Sequence, residues 1–162
     1  SLRQSTDDIA LLGYESLAQE ISKIKDIKRI YIGTSSGTTA QALAQYFINN
    51  KNKIEVNIIQ TSSCHFMVNE ITEDIPKNEI SVADAIVDQT VIRKEKVIEL
   101  IKQTGGKGYI ATNEEINNAI VLVKNNTGLD ISTNSALSIV GLMKDSYTRD
   151  LTGISVCIIC GD

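Results

Sequence analysis

Ile30-Tyr31-Ile32-Gly33-Thr34-Ser35-Ser36-Gly37-Thr38-Thr39-Ala40 is the stretch on which the reading of this chain turns. An apolar, β-type run stops at a glycine, passes through small hydroxylated residues and a second glycine, and enters Ala40 to Phe47, where apolar residues recur with helical spacing. The order predicts a strand, a tight loop and a helix start. Such a junction directs unpaired backbone N–H groups and the positive end of a helix dipole at one point, which suits a phosphate or carboxylate. The hydroxyls of Thr34, Ser35, Ser36, Thr38 and Thr39 can add hydrogen bonds to it. Neither GxGxxG nor GxxxxGK[ST] occurs and no lysine follows Gly37, so dinucleotides and nucleoside triphosphates lose their main support. An ordinary turn whose Ser and Thr cap a helix also accounts for the loop.

Working outward, strands are expected at 29–33, 54–59, 108–111 and 154–160, with 82–87 either a strand or a loop. Helices are expected at 8–26, 36–49, 93–103, 112–124 and about 134–144, plus a short helical turn at 64–69. Asp7 and Asp8 sit where acidic residues favour a helix start, and Thr112 with Glu115 matches a capping box. Strands alternating with helices predict an α/β fold: a three-layer, doubly wound, mostly parallel sheet with helices on both faces. Ligands of such sheets sit beyond the carboxyl ends of the strands, where the loops after Ile32 and Ile159 both belong.

At 162 residues the chain suits a single domain, and its 42% apolar content suits a globular one. A net charge of −4 without basic clusters gives no electrostatic footprint for nucleic acid or an anionic membrane, and scarce aromatics offer no base-stacking platform. No apolar run approaches the ~20 residues of a membrane span and no signal-peptide pattern opens the sequence, so the expected location is cytoplasmic. Three cysteines argue for reduced thiols. Cys157 and Cys160 have CxxC spacing, and with Cys64 and His65 could make up a Cys₃His zinc set; a strand would point Cys157 and Cys160 to opposite faces, which favours a packing role for Cys157. Asp84 reads first as a turn residue, and Ser132 to Ser135 first as helix caps.

Several segments resemble one family in order and spacing. They are Tyr14-Glu15-Ser16-Leu17-Ala18-Gln19-Glu20-Ile21 ahead of the Gly33–Thr39 loop, Ser81-Val82-Ala83-Asp84-Ala85-Ile86, Ala111-Thr112-Asn113-Glu114-Glu115-Ile116, Asn134-Ser135-Ala136-Leu137, and Val156-Cys157-Ile158-Ile159-Cys160-Gly161. Together they resemble the carboxyl-terminal half of the fold-type II pyridoxal-phosphate enzymes, with threonine synthase-like members closest. The resemblance implies that Gly33, Thr34, Ser35, Ser36, Gly37 and Thr38 cradle the phosphate of pyridoxal phosphate; Ser35 and Ser36 stand where the family commonly has glycines. It also implies that Cys160, before the glycine of the last strand, faces the pyridine nitrogen as a neutral partner.

The reaction implied is elimination or replacement at the β or γ carbon of a small amino-acid substrate. In the family the lysine that bonds to the cofactor lies in an amino-terminal portion, and no lysine here, Lys25 included, has that setting. The chain therefore reads as the cofactor-supporting domain of a longer enzyme, unable to turn over alone, with apolar surface free to meet the missing portion or to form a homo-oligomer. A sugar-phosphate-binding module of the sugar isomerase type resembles the same strand, loop and helix but gives no account of Asn134 to Ala136 and the terminal strand. A folded domain with no ligand role is the third reading.

Overall fold

Residues 7–88 and 92–160 are described by a computed structural model. Its centre is a four-stranded parallel sheet in the order β3-β2-β1-β4, formed by β1 (Ile27–Gly33), β2 (Glu55–Thr61), β3 (Gly108–Ala111) and β4 (Ile154–Cys157). Helices α2 (Glu15–Ser22), α3 (Thr38–Asn49) and α4 (Lys94–Thr104) cover one face, while α5 (Asn113–Thr127) and α6 (Thr133–Thr148) cover the other.

The strands read as continuous apolar runs because both faces are buried. Ile30, Ile32, Val56, Ile58 and Ile110 point to the α2–α3–α4 core, whereas Tyr31, Ile59, Tyr109 and Ala111 point to the α5–α6 core. That is the two-residue alternation of a pleated strand, carried into two separate cores.

The expected α/β architecture is the observed one, and several boundaries differ. The expected helix 8–26 is two, α1 (Ile9–Leu12) and α2, with Gly13 and Tyr14 at the break. Glycine weakens a helix interior by about 1 kcal/mol, and Asp26, with φ 60°, then turns the chain into β1. The turn expected at 64–69 shrinks to a 3₁₀ turn, Val68–Glu70, because Gln60 Oε1 takes the N–H groups of Met67 and Val68 (2.9 and 3.1 Å) and Thr61 closes a tight turn with Cys64. Residues 82–87 are a loop.

Helix α6 runs to Thr148, four residues past its expected end, because Asp145 on its last turn is bound to Arg149. β4 ends at Cys157 instead of Cys160: the Ile158 N–H still reaches the Tyr31 carbonyl (3.0 Å), after which the chain leaves the sheet for the head of α6. Gly161 lies outside the described residues. The capping box on α5 is present, with Thr112 accepting from the Glu115 N–H and Glu115 Oε2 accepting from the Thr112 N–H.

Candidate functional site

The loop after β1 is built around a single left-handed residue. Gly37 has φ +81°, occupies the N-cap of α3, and donates its N–H to Thr34 Oγ1 at 3.1 Å. Ser35 and Ser36 are not at positive φ, so neither position needs a glycine. Their hydroxyls go different ways. Ser36 Oγ pairs with Thr38 Oγ1 at 3.0 Å beside the first turn of α3, where helical N–H groups have no carbonyl ahead of them. Ser35 Oγ turns to residues 87 and 88.

Gly33 ends β1 directly beneath α6. A Cβ there would lie 2.9 Å from Leu137 Cβ and 3.1 Å from the Asn134 carbonyl oxygen, so only glycine lets the helix head come this close. That head is a hub. Ser132 caps it, accepting from the Ser135 N–H (3.2 Å) and donating to Ser135 Oγ (3.1 Å). Ser135 Oγ in turn donates to the carbonyl of Cys160. Asn134 accepts from the Ala85 N–H (3.1 Å) and donates to Asp84 (3.1 Å).

Two loops 120 residues apart thus meet through one helix start, on the carboxyl rim of the adjacent strands β1 and β4. The loop with Gly33, Thr34, Ser35, Ser36, Gly37 and Thr38 follows β1 at that rim, and the exposed Cys160 follows β4. Sequence reading had Asn134 and Ser135 as caps; their ties to Asp84 and Cys160 link residues 50 and 25 apart, which no local pattern reports.

Residues 80–88 form a strap across the same rim. The Ser81 N–H donates to Ser63, the Val82 N–H to Asn113, the Ala85 N–H to Asn134, and the Val87 and Asp88 N–H groups to Ser35, so the loops after β1 and β2 and the heads of α5 and α6 each hold a point of it. Asp84 lies in a turn, as expected.

The three cysteines differ in setting. Burial pushes the Cys157 thiol up to about 12, and its Sγ donates to the Ser138 carbonyl. Burial and then the Asp88 charge also raise Cys64, whose Sγ donates to the Asp88 carbonyl at 3.1 Å. Among the described residues no three His, Cys, Asp or Glu side chains gather as a metal set. His65 Nδ1 is buried without a hydrogen-bond partner among those residues.

A family model described as pyridoxal-phosphate dependent enzyme matches residues 1–161. The chain belongs to that family. Its cofactor is pyridoxal phosphate. Solved structures of the same fold include a pyridoxal 5′-phosphate-dependent aspartate racemase, 17% identical with a TM-score of 0.75, covering 96% of this chain and 49% of that one. The processed form of threonine deaminase isoform 2 from Solanum lycopersicum is 17% identical (TM-score 0.74), with 96% and 44% covered. Serine racemase from Dictyostelium discoideum is 18% identical (TM-score 0.72), with 94% and 50% covered. The chain spans about half the length of these structures. A comparison with curated protein sequences gives no match. Nothing in these matches supports the sugar-phosphate reading.

The rim of this family member has a left-handed glycine at a helix start, paired hydroxyls on Ser36 and Thr38 and, tied in through the head of α6, the exposed Cys160. A cavity at the opposite rim, lined by Lys28, Arg29, Lys51, Asn52 and Lys53, lies at the carboxyl ends of α3 and α4, where cations offset the negative ends of helix dipoles. No helix of the described residues is long and apolar enough to cross a membrane.

Proposed function

We propose that this chain is the cofactor-supporting, carboxyl-terminal half of a threonine synthase-like enzyme that carries out elimination or replacement at the β or γ carbon of a small amino-acid substrate. The observation that carries the reading is the joining of the β1 loop and the Cys160 segment through the head of α6. In it, the loop Gly33 to Thr38 holds the phosphate through its backbone and the Ser36 and Thr38 hydroxyls, and Cys160 meets the ring nitrogen as a neutral partner. Ser132 and Ser135 fix the height of Cys160, and Asn134 fixes the strap that shields the rim from water. Bound pyridoxal phosphate supplies an electron sink conjugated to the substrate α carbon.

The lysine that bonds to the cofactor and the groups that hold the substrate carboxylate belong to the other half, in the cytoplasmic enzyme we envisage. Large apolar side chains on the strap and just past it support a docking surface there: Ile80 is 91% exposed, Val87 62% and Ile92 78%. Alone, the chain forms homo-oligomers through this surface and turns over neither serine, threonine nor O-phosphohomoserine. Turnover at about 1 per second or faster, an ordinary enzyme rate, would refute the second statement.

Binding tests the first. Calorimetric titration with pyridoxal phosphate gives saturable binding that Cys157→Ala retains and Ser36→Asp, which puts a carboxylate into the loop, abolishes. Equal, weak binding by both variants would contradict the reading.

A further inference from the structure

The Ser35 hydroxyl is spent inside the protein. It accepts from the backbone N–H groups of Val87 (3.2 Å) and Asp88 (3.1 Å) and donates to Asp88 Oδ2 at 3.0 Å. Cys64 Sγ holds the Asp88 carbonyl from the other side. A carboxylate therefore rests on the loop assigned to the phosphate, and among the described residues it forms no ion pair with a lysine, arginine or histidine. A carboxylate beside a helix start takes the place that favours an anion, and a phosphate bound to the same loop is opposed by it.

From this geometry, and resting on the phosphate reading of the loop, we propose that Asp88 is a built-in competitor for the cofactor phosphate. Its carboxylate shares the Ser35 side of the cradle, so the loop accepts a phosphorylated ligand only as Asp88 gives way, and monoanions are favoured over dianions. A purely structural pin between Ser35 and the strap makes the opposite prediction: loss of the carboxylate would leave phosphate affinity unchanged or weaken it.

The test is calorimetry on the chain with pyridoxamine 5′-phosphate, which has no aldehyde to react with lysines, and with pyridoxamine as the phosphate-free control. Asp88→Asn keeps an acceptor for Ser35 and removes the charge; Asp88→Ala removes both. Both variants are expected to bind pyridoxamine 5′-phosphate at least about fivefold more tightly than wild type, to show no gain with pyridoxamine, and to lose part of the gain in high salt. Thermal melts confirm that each variant is folded. Affinity equal to or below wild type in both variants overturns the role of Asp88 and leaves the loop assignment standing. Absence of saturable binding in wild type and both variants overturns the loop assignment and this proposal together.

Discussion

Replacing Asp145 tests how the rim is held from behind. This carboxylate is completely buried on α6, three turns from the head that carries Asn134 and Ser135. It accepts from Tyr31 Oη at 2.7 Å and from Arg149 Nε and Nη2 at 2.9 and 2.6 Å, with Lys107 Nζ at 3.5 Å; Arg149 also grips Glu55 on β2 through both terminal nitrogens. Breaking a buried pair costs about 3–5 kcal/mol, and Arg149, with a quarter or more of its side chain exposed and Glu55 still in reach, recovers some of it. Asp145→Asn is therefore expected to lose about 3 kcal/mol, a fall in Tm of about 6–12 °C at this chain length. Tyr31→Phe removes one hydrogen bond to a charged group and should cost about 1.5 kcal/mol, with a double variant showing coupling of at least about 0.5 kcal/mol.

The network also sets an acid limit. Burial alone would raise Asp145, but the bonds from Arg149 and Tyr31 hold it well below the usual carboxylate range. Its folded pKa lies below the unfolded one, so its contribution is present above about pH 4 and is lost as pH falls toward the folded value. Urea denaturation at pH 7 and at pH 3 measures this. Wild type should lose more stability between the two than Asp145→Asn. An Asp145→Asn protein within 1 kcal/mol of wild type at pH 7, with the same acid dependence, would refute the reasoning.

Thr112→Ala removes the side-chain half of the α5 capping box and should cost about 1 kcal/mol, or about 2–4 °C in Tm, read by thermal melts. Gly37→Ala forces a side chain into φ +81° with its Cβ 2.8 Å from Val97 Cγ2; the backbone alone costs about 1–2 kcal/mol, so Tm should drop by at least about 3 °C and phosphate binding should weaken in the fraction that folds. Iodoacetamide with mass spectrometry should label the exposed Cys160 well before Cys157 and Cys64, whose burial keeps them protonated, and pyridoxamine 5′-phosphate should slow the labelling of Cys160 alone.

Local patterns carried the fold because they are local. The apolar runs at Ile30 and Ile58 and the capping box at Thr112 each act within a few residues, and each falls where the sequence places it. The β1 loop and its helix were legible for the same reason, whereas the length of β4 was not: Ile158 to Cys160 have β-type side chains, and only the pull of Ser135 on Cys160 takes them off the sheet. Tyr31 and Asp145, 114 residues apart, form a buried pair that no periodicity announces. The strap is the extreme case: residues 80–88 have no regular structure, and their position follows from hydrogen bonds to Ser35, Ser63, Asn113 and Asn134, all between 18 and 53 residues away.

Amide chemical-shift mapping during titration with pyridoxamine 5′-phosphate tests the central claim most directly. The account predicts saturable shifts concentrated on Gly33 to Thr38, Ser135 and Cys160, absent when pyridoxamine replaces the phosphorylated ligand. Shifts confined to Lys28, Lys51, Asn52 and Lys53 at the opposite rim, with the β1 loop unmoved, would contradict it.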